Sequence, residues 1–348
     1  MKNVITGILI LISLSVGAQD LEVFAESEFP MNGIAISKSG RKFVSMPQWL
    51  DDKTSYSVAE ITENGTIKPF PGGNWNTFNP INKLTSFINV NSVFIDDENY
   101  LWVVDYAAPY FGEIVKGGQK VVKINLDTNS VERVYTFNDN ILPNHAKLND
   151  IRVDTRTQKA FISEFGVGAL IVLDLKTGKS RRVLDQHYST KAHPDVVSYF
   201  LGSPFRTNKL QVNDIELSNN GAYLFYQPTG GPILYRIKTK DLIDNTLTER
   251  GISQKVEVFS KSTTVGGVTI DKKDNVYLGA VETNSIIRID KKGRGKEIIK
   301  NDNLLWPDAM DIYKKHLYIP CPQLRLLPKF SKGNQKFTIP FKIFRLKI

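Results

Sequence analysis

Between residues 148 and 184 the chain reads Leu148-Asn149-Asp150-Ile151-Arg152-Val153-Asp154, then Ala160-Phe161-Ile162-Ser163-Glu164, then Ala169-Leu170-Ile171-Val172-Leu173-Asp174-Leu175, then Ser180-Arg181-Arg182-Val183-Leu184. Each run is short, apolar and bounded by a polar turn, which is the pattern of a β-strand. Four such runs in succession form one antiparallel unit, opened by a polar pair, here Asn149-Asp150.

The opening of that unit returns along the chain, and self-similarity at a fixed period is the mark of a repeat architecture. Asn32-Gly33-Ile34-Ala35-Ile36 leads to Lys42-Phe43-Val44-Ser45, and Asn91-Ser92-Val93-Phe94-Ile95-Asp96 leads to Leu101-Trp102-Val103-Val104-Asp105. Asn213-Asp214-Ile215-Glu216-Leu217-Ser218 precedes Tyr223-Leu224-Phe225-Tyr226-Gln227, and Gly266-Gly267-Val268-Thr269-Ile270-Asp271 precedes Val276-Tyr277-Leu278-Gly279. A looser sixth copy is Pro307-Asp308-Ala309-Met310-Asp311 with Leu317-Tyr318-Ile319. Six units of four short strands predict an all-β chain, a six-bladed β-propeller with four-stranded antiparallel blades. Two long non-periodic pieces, residues 71–85 and 189–209, read as insertions over one face. Leu21-Glu22-Val23-Phe24 lacks a unit of its own, and the chain ends in the strand pattern Phe341 to Leu346. Pairing these termini in one blade would close the ring and remove its free edges.

Composition agrees with a folded chain: of 348 residues, 41% are hydrophobic and 23% charged, which excludes a disordered or collagen-like sequence. Lys2, the apolar run Ile8 to Ile12 and the small residues Val16-Gly17-Ala18 read as a secretory signal over residues 1–18. The mature domain is then 19–348, secreted or periplasmic. A membrane anchor is the alternative reading, but the run is shorter than the roughly 20 residues of a spanning helix, so no stable membrane insertion is expected. Cys321 is the one cysteine, so no intramolecular disulfide can form. The formal charge is +9, with no acidic residue from Lys314 onward. That basic stretch could meet an anionic surface or nucleic acid; the alternation of Phe344, Leu346 and Ile348 with Arg345 and Lys347 reads instead as a half-buried strand. Export argues against nucleic acid, and a monomer is expected.

Successive strands of a blade are antiparallel, so the start of the innermost strand and the end of the next lie at one rim. Asn32, Asn91, Asn149, Asn213 and Asp308, with the neighbouring Asp150 and Asp214, should therefore gather at one mouth of the channel. Asp105, Glu164, Gln227 and Glu282 should sit near them, and Trp306 and Phe165 supply aromatic walls. Such a ring reads as a ligand mouth; the alternative is that each Asn or Asp ties a turn. The four histidines show no metal-ligand spacing, and no Gly-x-Ser-x-Gly elbow is present.

At these residues the chain resembles a known family. Gly40-Arg41-Lys42-Phe43-Val44-Ser45, Leu148-Asn149-Asp150-Ile151-Arg152-Val153-Asp154, Gly168-Ala169-Leu170-Ile171-Val172-Leu173-Asp174 and Trp306-Pro307-Asp308 look like the major royal jelly and yellow proteins. The resemblance implies a secreted six-bladed propeller that binds a small ligand, such as a biogenic amine, in its channel. It also implies kinship with bacterial members labelled as related to L-dopachrome tautomerase. The family's Asn before Gln-Leu is Pro322 here. The more distant regucalcin and gluconolactonase group holds a divalent metal through two carboxylates and an amide. Asn32 and Gly266 stand where the carboxylates would be, with Asn149 and Asn213 retained. No cofactor is expected; a cation such as calcium, held by Asp150, Asp214 and Asp308, is the alternative.

Two functions are open. A binding module would capture an aromatic, cationic small molecule with rim carboxylates pairing the cation. An isomerase of the dopachrome tautomerase kind would use Glu164 or Asp150 to remove a carbon-bound proton. A metal-dependent lactonase is a third and weaker reading.

Overall fold

The strand-forming pattern is realised as six four-stranded antiparallel sheets and one two-stranded hairpin. The structure is a computed structural model that describes residues 21–50, 56–79, 81–206 and 210–348; the expected leader, 1–18, lies outside the described residues. The sheets are the blades of a six-bladed β-propeller. The innermost strands of blades 1 to 5 are Gly33–Ile36, Val90–Ile95, Leu148–Asp154, Val212–Leu217 and Val265–Ile270. Blade 6 runs outward from Asp311–Tyr313 through His316–Cys321 and Phe341–Lys347 to Leu21–Ser27, the N-terminal strand. Leu21 lies opposite Leu346 and Ser27 opposite Phe341, so the two ends of the chain close the ring by the expected strand pairing.

Six apolar clusters fill the six seams between consecutive blades. Trp102, Val104 and Tyr135 of blade 2 pack on Ile151, Ile162 and Ile171 of blade 3, and Phe161 and Leu170 of blade 3 pack on Ile215 and Tyr226 of blade 4. The other seams repeat the arrangement. Burying one such side chain contributes about 1.5–3 kcal/mol, which makes these seams the main stabilising feature of a chain with no disulfide. The Asp that recurs after an innermost strand caps the far-rim turn. Asp96 Oδ1 accepts from Glu98 N (2.9 Å) and Tyr100 N (3.0 Å), and Asp271 Oδ1 accepts from Lys273 N and Asn275 N at 2.8 and 2.9 Å.

The polar pairs have a structural cause that strict alternation does not supply. In blades 2 to 5 the pair sits at a register shift: between Val90 and Ser92, Leu148 and Ile151, Val212 and Ile215, and Val265 and Val268; the Asn32-Gly33 pair of blade 1 enters its ladder without one. A bulge places two residues opposite one and turns them to different partners. The sixth copy departs from expectation. Its regular ladder begins at Asp311, opposite Tyr318, while Pro307 to Met310 approach the axis with Asp308 N bonded to Pro320 O at 3.0 Å.

The insertions lie between blades. Residues 71–79 and 81–85 run in turns from blade 1 to blade 2, and the 189–209 segment carries the hairpin Val197–Phe200 and Ser203–Arg206. A third long connection, 322–340, leads to the last strand. Its 3₁₀ turn Leu324–Leu326 is fixed by the Gln323 amide, which accepts from Thr338 N (3.0 Å) and donates to Thr338 O (2.8 Å). Two short helices, Thr239–Ile243 and Glu249–Ser253, join the outer strands of blade 4.

Candidate functional site

The mouth of the channel is a cavity of about 680 Å³ of atom-free space, opening included. Its floor is made by the first residue of each polar pair: Asn32, Asn91, Asn149 and Asn213, joined by Asp308 of blade 6. These side chains hold one another in a chain around the axis. Asn32 Nδ2 donates to Asn91 O (3.2 Å), Asn91 Nδ2 to Asn149 Oδ1 (2.7 Å), and Asn149 Nδ2 to Asp214 Oδ1 (3.5 Å). Asn213 Nδ2 continues the chain to Gly266 O at 2.9 Å. One acceptor on this floor has no hydrogen-bond partner: Asn32 Oδ1, on a side chain only 2% exposed.

The second residues of the pairs turn away from the cavity. Asp150 binds Arg152 Nη1 with both oxygens at 2.9 Å, and Arg152 Nε reaches Glu216 Oε1 at 2.9 Å. Asp214 Oδ2 accepts from Val268 N (3.0 Å) in the next blade. Burial pushes the Asp214 carboxyl well above the usual range, and the charges of Asp308 and Asp150 push it further. Asp308 remains on the cavity wall. Burial raises its carboxyl to about 8 against the opposing hydrogen bonds from Ala309 N (2.9 Å) and Trp306 Nε1 (3.0 Å).

The strand-end group is at the same rim but does not line the cavity. Glu164 Oε1 accepts from the backbone N–H of Lys147, Gly166 and Val167 at 2.8, 2.6 and 2.9 Å. Its Oε2 accepts from Gly168 N (3.0 Å) and Arg182 Nη2 (2.8 Å). Asp105 accepts from Ile88, Asn89 and Ala107 N–H groups and pairs with the buried Lys120 at 2.6 Å. Glu282 holds the hairpin and the loop beneath it, accepting from Tyr199 N and Thr263 Oγ1 at 2.9 and 2.8 Å. Gln227 Nε2 donates to Gly231 O and Thr263 O, both at 2.7 Å. Asp105, Glu164 and Glu282 are taken up by these bonds, whereas Gln227 ties its loop through Nε2 alone and its buried Oε1 has no hydrogen-bond partner. The proton-abstracting role expected of Glu164 and Asp150 therefore meets carboxylates whose oxygens are already bonded and which do not face the cavity.

Aromatic walls stand over the amide floor. Trp306 and Phe165 line the cavity as expected, and Trp49, Tyr106, Phe111 and Phe330 complete the wall. Trp306 has φ 65°, an uncommon left-handed conformation for a bulky residue, and its ring is held by Phe200 and Phe205, each 6.0 Å away between centroids. Trp49 stacks on Phe111 (5.2 Å) and its Nε1 donates to Tyr106 Oη (2.9 Å). Leu324, just after the position where the family resemblance differs, also lines the cavity, whereas Pro322 is buried outside it. Lys147 is the cationic residue on the wall; desolvation lowers its ammonium, attraction from Glu113 opposes that, and repulsion from Lys329 adds to it. His145 is exposed and not part of the lining.

Tyr106 and Phe165 each directly follow the strand-end acid of their blade, Asp105 and Glu164, and Lys147 directly precedes the third unit. Those positions are the signal by which they could have been found. Trp49, Phe111 and Phe330 sit on unrepeated connections and carry no such signal.

A cation of the regucalcin type does not fit this floor. A Cβ on Gly266 would come within 2.2 Å of Pro307 O, and one on Gly267 within 2.3 Å of the Asp308 carbonyl. The approach of residues 307 and 308 thus leaves blade 5 no room for a ligand side chain. Among the described residues no group of three or more His, Cys, Asp or Glu side chains could hold a metal ion.

Solved structures with this architecture include a gluconolactonase from Xanthomonas campestris, with TM-score 0.59, 10% identity, 95% of this chain and 90% of that one covered. A streptogramin B lyase matches with TM-score 0.55 and 14% identity over 94% and 97% of the two chains. A calcium-binding regucalcin from Agrobacterium tumefaciens gives 0.55 and 13% over 94% of each. At such identities the likeness is one of fold. No curated protein matches the chain. The family described as Major royal jelly protein matches residues 88–329, from the second blade to the loop over the cavity, and the chain belongs to that family.

Proposed function

We propose that this protein captures a small planar aromatic molecule in the mouth of its channel. The observation that carries the reading is the cavity itself: amides from blades 1 to 4 and the carboxyl of Asp308 lie beneath six aromatic rings. Small-molecule sites combine apolar walls with a few convergent polar groups, and aromatic walls favour flat ligands through offset and edge contacts. The amides are already oriented by one another, so little ordering would accompany binding. In a thermal-shift series of catechols, indoles, quinones and sugar lactones, aromatic compounds should raise the melting temperature by mass action, and Trp306→Ala should abolish the rise. A rise with lactones alone would overturn the reading.

A second reading, proton transfer within a bound dopachrome-like substrate, is favoured by Asp308. It is the acidic residue on the cavity wall, and a carboxyl at about 8 is close to the value a general acid or base needs at neutral pH. The role considered for Glu164 and Asp150 passes in this reading to Asp308. Asp308→Asn should abolish tautomerisation while keeping substrate affinity; unchanged turnover would exclude it.

A further inference from the structure

We propose that the aromatic ligand carries a carboxylate, and that this group is seated against the Lys147 ammonium. The inference rests on the aromatic-ligand reading and names the chemical class within it. Lys147 lines the cavity and is half-buried. Its backbone is fixed on both sides: its N–H donates to Glu164 Oε1 (2.8 Å) and its C=O accepts from Phe165 N (2.9 Å). Its ammonium takes part in none of the ion pairs found among the described residues, although the neighbouring strand-end groups do: Glu164 with Arg182 and Asp105 with Lys120. Glu113 acts on it only at longer range, and Lys329 opposes it. A half-buried cation without a close partner is ready to receive an anion.

The surroundings point the same way. Arg325, Lys329, Lys332 and Lys336 all lie on the 322–340 loop that brings Leu324 and Phe330 to the cavity, and no acidic residue follows Asp311. Clustered charge of one sign at a cleft raises the local concentration of oppositely charged ligands. A cationic ligand would find no free carboxylate on the cavity wall itself, Glu113 being outside the lining. Asp105, Glu164 and Glu282 are committed to backbone and side-chain donors, and burial keeps the Asp308 carboxyl protonated at neutral pH. The unpartnered Asn32 Oδ1 would suit a ring N–H or phenolic O–H on the same ligand.

The test is calorimetric titration with three probes sharing one ring: indole-3-acetate, indole-3-ethanol and tryptamine. Wild type should bind the carboxylate about ten-fold or more tighter than the other two, a factor worth about 1.4 kcal/mol. Lys147→Met should reduce indole-3-acetate to the affinity of the alcohol, and Lys147→Arg should retain most of the preference. Circular dichroism and the melting temperature establish that each variant is folded. Tryptamine binding as tightly as indole-3-acetate, or a preference unchanged in Lys147→Met, overturns the inference and leaves the aromatic reading standing. Binding of none of the three to folded wild type overturns both.

Discussion

Two sets of polar residues share one rim of the propeller and are used in opposite ways. The strand-start amides Asn32, Asn91, Asn149 and Asn213 line the cavity, while the strand-end groups Asp105, Glu164, Gln227 and Glu282 tie down the connections beside it. Both sets are buried or nearly so; the amides come from blades 1 to 4 and the strand-end groups from the adjacent strands of blades 2 to 5. The difference is what each side chain meets first. A strand end is followed by a connection whose free N–H groups converge on the nearest carboxylate, and these acceptors fill. In blades 2 to 4 the strand start lies at a bulge, and in all four blades the amide is turned to the axis and donates into the next blade: Asn32 to Asn91 O, Asn91 to Asn149 Oδ1, Asn149 to Asp214 Oδ1 and Asn213 to Gly266 O. Position at a channel mouth is thus insufficient to identify a binding group, and so is unused hydrogen-bonding capacity, because the buried Gln227 Oε1 has no partner yet lies outside the cavity lining; the direction in which the side chain leaves its strand decides.

This contrast is most strongly tested at Asp105. Asp105→Ala would leave Lys120 fully buried without its partner at 2.6 Å, and breaking a buried pair in this way costs about 3–5 kcal/mol. Urea unfolding should show that loss, and the added change Lys120→Met should recover a good part of it. A cost below about 1 kcal/mol would mean the strand-end acids are not structural.

Glu164→Gln comes next. The carboxylate accepts from four backbone N–H groups and Arg182, and an amide would replace one acceptor oxygen by a donor facing donors. The expected loss is about 2–3 kcal/mol by denaturant unfolding. Variants that unfold more easily yet bind a ligand normally would sharpen the contrast; wild-type stability with lost binding would reverse it.

Much of this was legible in the sequence because it repeats. The polar pair at each innermost strand gives both the blade count and the five floor residues, Asn32, Asn91, Asn149, Asn213 and Asp308. The strand ends were legible as members of the rim but not as closed groups, since saturation depends on where the connection's backbone turns back. Lys147, Trp49, Phe111 and Phe330 were missed because each occurs once, on a segment outside the repeat. Strict alternation also fails at the bulges. Asn149 and Asp150 are consecutive, yet one lines the cavity and the other grips Arg152.

A smaller effect separates Asp308 from the rim acids. Its carboxyl is raised from 3.8 to about 8, so the folded state holds the proton more tightly than the unfolded chain. The stability this group contributes is complete below about pH 4 and is lost as pH rises through 8, with a limiting slope of about 1.4 kcal/mol per pH unit. The unfolding free energy of wild type should fall across that window, and Asp308→Asn should remove most of the part of the fall that this group causes. Since the Asp308 charge pushes the buried Asp214 carboxyl further up, Asp308→Asn should also lower the pH at which Asp214 ionises. An unchanged profile in Asp308→Asn would remove this residue from the acid–base reading.

The smallest stability effect belongs to the amide floor. In Asn149→Ala the 2.7 Å bond from Asn91 and the long 3.5 Å contact to Asp214 are lost, together worth about 1 kcal/mol because Asn91 Nδ2 retains Asn149 O at 3.4 Å. The unfolding midpoint should therefore move little. Binding should suffer more, because losing this side chain frees Asn91 to rotate and the ligand would then have to order it. The ratio of the two effects distinguishes the rings of the rim: Glu164→Gln should change stability more than affinity, and Asn149→Ala affinity more than stability. Equal behaviour of the two variants would show that the amides, like the acids, serve the turns.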